Sequence, residues 1–237
     1  MNYISLVMAI LIAIPTVQAA DDEQITYKAP SQDEKTRHVE TGSRVGTCKA
    51  ATTVNNNFKL NLIVPESTGY THQAQPTLYW AVSQPITAKF EFFIEEIPKS
   101  DDDYIEPLVE SQFELKASAG IQALSLAQYH VELKKDTNYK WSLRLLCDPQ
   151  GKKSAEDRNV TGTLKYVALS PELSKRIDQT KAQQLPYLYA QNGFWFDAVE
   201  ALSKQIQAHP QDKTWRKVRA NLLEQVKLSD VAALDRR

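Results

Sequence analysis

The sequence predicts an α+β chain: a two-sheet antiparallel β-sandwich followed by a short C-terminal helical hairpin. Three observations predict it. Apolar residues alternate with polar ones at period two from Phe58 to Ala168, which is the signature of half-buried strands. After Ser170 the apolar period becomes that of a helix. Two cysteines, Cys48 and Cys147, bracket most of the β region.

The chain begins with an almost unbroken apolar run from Ile4 to Val17, then Val17-Gln18-Ala19-Ala20 and the acidic Asp21-Asp22-Glu23. An apolar core of about 14 residues with small residues at its end reads as a cleavable secretory signal, and a membrane anchor needs about 20 apolar residues. Residues 1–20 are therefore read as a signal peptide, so the mature protein is expected outside the cytoplasm. No later stretch is long and apolar enough to span a bilayer, so no stable membrane insertion is expected after cleavage. Residues 21–46 are polar and lack apolar periodicity, the pattern of a flexible mature N-terminus.

The β-sandwich domain is placed at residues 47–169. Its strands read Phe58-Leu60-Leu62-Val64, Leu78-Trp80-Val82, Phe90-Phe92-Ile94, Tyr139-Trp141-Leu143-Leu145-Cys147 and Leu164-Tyr166, with weaker strands at 108–115 and 121–126. Pro65, Pro76, Pro85, Pro98 and Pro149 punctuate them. About seven short strands suit a two-sheet sandwich. Leu133 to Trp141, a leucine, a polar turn and a tyrosine leading into an alternating strand, resembles the corner before the penultimate strand of fibronectin-type sandwiches. The fold is accordingly read as Ig/fibronectin-III-like.

Residues 170–237 form the C-terminal α-helical region. Ser170-Pro171-Glu172 is a helix start, with a serine cap, proline at the first position and an acid in the first turn. Trp195, Ala198, Val199, Leu202 and Ile206 share one helical face, and Trp215, Val218, Leu222 and Val226 share another; His209-Pro210-Gln211-Asp212 separates them. Tyr189, Gly193, Trp195, Ala198, Leu202 and Pro210 resemble a single tetratricopeptide-type unit, with Pro186 standing where that family has a small residue. One such unit cannot bury its apolar stripe alone and must pack on the sandwich or on another chain.

Export also decides the reading of the cysteines. In an oxidising compartment an isolated pair forms a disulfide, so Cys48–Cys147 is predicted; the alternative is two buried thiols.

Several segments together resemble a bacterial exported family described as domain of unknown function 928. They are Gly42-Ser43-Arg44-Val45-Gly46-Thr47-Cys48, Pro76 to Val82, Tyr139-Lys140-Trp141, Cys147-Asp148-Pro149 and Ala190 to Ala198. The resemblance spans roughly residues 40–230, is in keeping with export and a disulfide, and implies no activity. Tyr79, Asp148, Trp195 and Asp197 lie in these segments and are the candidate interaction surface.

Composition narrows the function classes. The formal net charge is −1, from 28 basic and 29 acidic residues, which gives no basic surface for nucleic acid. Seven glycines leave little for a phosphate loop. The four histidines, His38, His72, His130 and His209, are far apart and read as surface residues, with no second ligand at metal spacing. Asp101-Asp102-Asp103 reads as a solvated hairpin tip rather than a calcium loop. The four tryptophans fall on apolar stripes and read as core, and one of Tyr79 and Trp80, on opposite faces of a strand, is expected at the surface. No catalytic, metal-binding or cofactor-binding residues emerge. The reading is a non-enzymatic binding or adaptor module for a protein or peptide partner in the cell envelope, with an envelope-polymer hydrolase or a self-associating structural protein as alternatives.

Overall fold

Alternation resolves into two sheets in a computed structural model that describes residues 24–30, 48, 57–98, 100, 105–148, 150–154 and 156–237. The leader 1–20, His38, the segment 42–47, the acidic run 101–103 and Pro149 lie outside the described residues. The first sheet has the order β1 (Leu60–Leu62), β3 (Thr77–Val82), β6 (Gly120–Ser125), all antiparallel. The second has the order β2 (Gly69–Thr71), β8 (Arg158–Tyr166), β7 (Asn138–Leu145), β4 (Ile86–Glu96), β5 (Val109–Ala117). Its pairs are antiparallel except one: β2 runs parallel to β8, with Tyr70 opposite Lys165. The antiparallel expectation is corrected there. Gly69-Tyr70-Thr71 is too short to carry a period, so nothing in it announced a strand.

The inner faces of the two sheets share one core. Phe90, Phe92 and Ile94 of β4, Trp141 and Leu143 of β7, and Leu78, Trp80 and Val82 of β3 are fully or almost fully buried in it. Trp80 meets Phe113 of β5 edge-on across the gap, at 6.3 Å between ring centres. The outer face of the second sheet is polar, as alternation requires. Glu91 stands opposite Arg144, and Glu95 opposite Lys140. At the start of β7 the Tyr139 hydroxyl accepts a hydrogen bond from the backbone N–H of Lys134, 2.8 Å away.

Five helices follow: α1 (Pro171–Gln179), α2 (Leu185–Gln191), α3 (Trp195–Ala208), α4 (Thr214–Glu224) and α5 (Ser229–Asp235). Ser170 caps α1 as expected, its Oγ accepting from Leu173 N at 3.2 Å, with Pro171 in the first turn. Pro186 sits in the first turn of α2, where a missing N–H leaves no helical bond unmade. No described helix is long and apolar enough to cross a membrane.

The helices cover the outer face of the first sheet. α3 contacts β2 and β3, and α5 contacts β6. Consequently β3 is buried on both sides, and Tyr79 and Trp80 are both almost wholly covered (6% and 2% exposed). Alternation alone could not show this, because a strand with two covered faces still places Leu78, Trp80 and Val82 on one of them.

The polar N-terminus is also tied down in part. Residues 24–30 lie against the helices, outside any helix or strand. Lys28 N donates to Ala190 O at 3.0 Å, and Gln225 of the α4 end grips both Tyr27 N (2.9 Å) and Ile25 O (2.9 Å). Ile25 is buried and Tyr27 packs edge-on against Trp195 at 4.9 Å. Two apolar residues in a polar stretch suffice to pin it, so this part of 21–46 is an ordered strap. Gly193, at φ +80°, turns the chain from α2 to α3 beneath it; a Cβ there would stand 3.1 Å from Pro30 Cγ and 3.2 Å from Lys28 O. Tyr27→Ala should therefore loosen the strap, costing about 2 kcal/mol of stability and opening residues 24–30 to limited proteolysis.

Candidate functional site

Two buried polar networks join the helices to the β layers, and a groove lies beside the second. The first centres on Asp197, in the first turn of α3, at 2% exposure. Its carboxylate accepts from His72 N (3.1 Å) and Gln73 Nε2 (3.0 Å), and His72 Nε2 lies 3.3 Å away. The His72 ring stacks on Tyr189, with Nε2 3.2 Å from its hydroxyl. Gln73 also reaches Glu200, which Thr77 and Lys204 bind from either side. A small pocket of about 180 Å³ opens beside Asp197 and Glu200.

Burial pushes the Asp197 carboxyl up to about 6, against the opposing pull of His72 and the bonds from Gln73 and His72 N. An acid whose folded pKa exceeds its unfolded value binds more protons when folded. Its favourable contribution is complete below about pH 4 and declines as pH rises towards 6. Asp197→Asn should flatten the fall in stability across that window, measured by urea midpoints at pH 4, 5, 6 and 7. The wild-type fall should not exceed about 3 kcal/mol.

The second network locks α5. Arg219 forks onto Asp235 with Nε and one terminal nitrogen (2.7 and 2.6 Å), and its other terminal nitrogen donates to Ser203 Oγ (2.8 Å). The Tyr79 side chain, in β3, lies beside Ser203, which brings sheet and helix together. Both charges of the pair are buried, so the fork satisfies a requirement of the fold.

Beyond this network lies a groove of about 710 Å³, between β6 on one wall and the ends of α3, α4 and α5 on the other. Lys213, Arg216, Arg219 and Arg237 line it with a single acidic side chain, Asp235. At Gly120 a Cβ would meet no atom within 4 Å, so the groove is open there.

β6 offers its free backbone edge beside the groove. Leu126 N donates to Pro76 O, which makes Leu124/Leu78 and Gln122/Trp80 the hydrogen-bonded pairs of the ladder. Ile121 and Ala123 therefore turn their N–H and C=O away from β3. No other described strand pairs with them.

Of the sequence-predicted site residues, Trp195 and Asp197 are inside the molecule, and Tyr79, only 6% exposed, lines the floor of the groove. Trp195 is fully buried, its Nε1 donating to Ile63 O at 2.9 Å. Asp148 lies in the turn after β7, where its Oδ1 accepts from Gln150 N and Lys152 N. The four share no exposed surface. Cys48 and Cys147 are bonded, with Cα atoms 4.6 Å apart. His72 was read as a surface residue and belongs to the Asp197 network instead; a lone histidine between Thr71 and Gln73 gave no sign of it. His130 is exposed at the end of a 3-10 turn. Among the described residues no group of three His, Cys, Asp or Glu side chains is placed to hold a metal ion.

A search of curated proteins returns no match to the chain. A family model described as Domain of Unknown Function (DUF928) matches residues 39–235. The strap at 24–30 lies outside that span. From the disulfide to α5 the described fold falls within the matched span, and the chain belongs to the DUF928 family.

Proposed function

We propose that the chain is a non-enzymatic binding module of the cell envelope, exported by its leader to the periplasm, where it holds an extended segment of an envelope protein. The observation that carries this reading is the open edge of β6 beside a roomy groove. A free strand edge binds an extended chain by adding it to the sheet, with main-chain hydrogen bonds supplying affinity. The Tyr139–Lys134 bond supports the Ig/fibronectin-III-like reading of the β layers, because such sandwiches fix the same corner with a tyrosine hydroxyl. The α2–Gly193–α3 hairpin, with Pro210 after α3, supports the tetratricopeptide-like reading of the helices. The test is a photo-crosslinking residue placed at the exposed Ala123, or at the distant Lys135, in the native host. A discrete envelope-protein adduct from position 123 alone is expected. Equal labelling at both positions, or none, would overturn the reading.

A second reading, an envelope-polymer hydrolase, rests on the buried Asp197 and its contact with His72, an arrangement that can hold and move a proton. It predicts turnover of envelope polymer that His72→Ala abolishes. Unchanged background turnover removes it.

A further inference from the structure

We propose that the segment added to β6 is acidic: an extended polypeptide of another protein whose carboxylates face Lys213, Arg216 and Arg237 while its backbone pairs with Ile121 and Ala123. This rests on the binding-module reading above and adds the chemistry of the partner.

The first support is the sequence of the edge. Open edges are ordinarily guarded against strand addition by charge, proline, bulges or shortness. The other edges follow that rule. β5 carries Glu110, Glu114 and Lys116, and β1 and β2 are three residues each. β6, by contrast, has six residues, Gly120-Ile121-Gln122-Ala123-Leu124-Ser125, with neither a charge nor a proline. Its edge is left free to pair.

The second support is charge. The one acidic side chain lining the groove is already gripped by the Arg219 fork. Lys213 and Arg237 make no ion pair among the described residues, and Arg216 reaches Asp235 only at 3.6 Å. A strand on the outer edge of β6 would alternate its side chains, sending every second one towards these cations. Acidic residues at that spacing are the complement; lysines there would repel. The cations reach from the far wall, so they select partners without closing the edge.

The test uses the purified, oxidised full chain and three fluorescent ten-residue probes of alternating valine with glutamate, lysine or serine. The glutamate probe should bind, and weaken by at least about tenfold from 50 to 300 mM salt, because exposed charges are screened over that range. Lys213→Glu with Arg237→Glu should weaken it by at least about tenfold. Ala123→Pro should abolish binding while leaving the melting curve in place, since its N–H is not used within the sheet. If Ala123→Pro disturbs the fold, Ala123→Glu, a surface change that repels the probe, serves instead. Binding of all three probes alike, lost in Ala123→Pro, would keep the edge and overturn the acidic partner. Glutamate-probe binding that survives both Ala123 variants would overturn strand addition. No binding by any probe would overturn both. A concentration-dependent dimer abolished by Ala123→Pro would name a second copy of this chain as the occupant and overturn the proposal.

Discussion

Trp195→Ala is expected to cost about 3–5 kcal/mol, seen as a lower denaturant midpoint at unchanged slope. Three losses combine. The indole is fully buried at the start of α3, so its removal leaves a cavity between helices and sheet. Its Nε1 satisfies Ile63 O, which would be left unpaired in the interior. Tyr27 of the strap rests on its ring, so the N-terminal segment should loosen as well. Trp195→Phe separates these effects: it keeps most of the packing and loses only the bond to Ile63, so a cost of about 1–2 kcal/mol is expected. Equal costs for both variants would show that the hydrogen bond dominates, against the packing account.

Reduction of Cys48–Cys147 is the second large effect. The bond spans 99 residues of sequence. On the chain-entropy model, opening a loop of that length lowers stability by about 4–5 kcal/mol, by releasing the unfolded chain. Cys147 itself is held by Asp157, whose Oδ1 accepts from Cys147 N at 2.8 Å, so its end of the bond should keep its place after reduction. Comparing guanidinium midpoints with and without reductant checks this. A shift of under about 1 kcal/mol would mean that the bond constrains little.

These effects bear on what could be read in the sequence. β4 and β7 were legible because alternation is clean where one face is buried and the other wet, as in Ile86-Thr87-Ala88 or Tyr139-Lys140-Trp141. The start of α1 was legible because Ser170 and Pro171 act locally. The burial of Tyr79 was not, since what covers it arrives over 120 residues later from α3 and α4. The same holds for the strap. Ile25 and Tyr27 are too few to show a period, and their partners Ala190, Trp195 and Gln225 are remote in sequence. The Asp197 network escaped for a related reason: Asp197 sits among core residues of α3, where a carboxylate reads as a surface interruption. The Cys48–Cys147 pair was legible from the count of two cysteines together with the expectation of export. The groove was not, because no local pattern marks which strand ends a sheet; what makes Gly120–Ser125 an edge is that, among the described strands, β6 pairs only with β3.

The central claim is that β6 keeps one backbone edge free. Amide exchange read residue by residue in the unliganded chain tests it most directly. Gln122 and Leu124, bonded to β3, should exchange slowly, while Ile121 and Ala123 between them should exchange at rates near those of an open loop. Uniformly slow exchange across all four residues would mean the edge is already covered, and the binding account would fall with it.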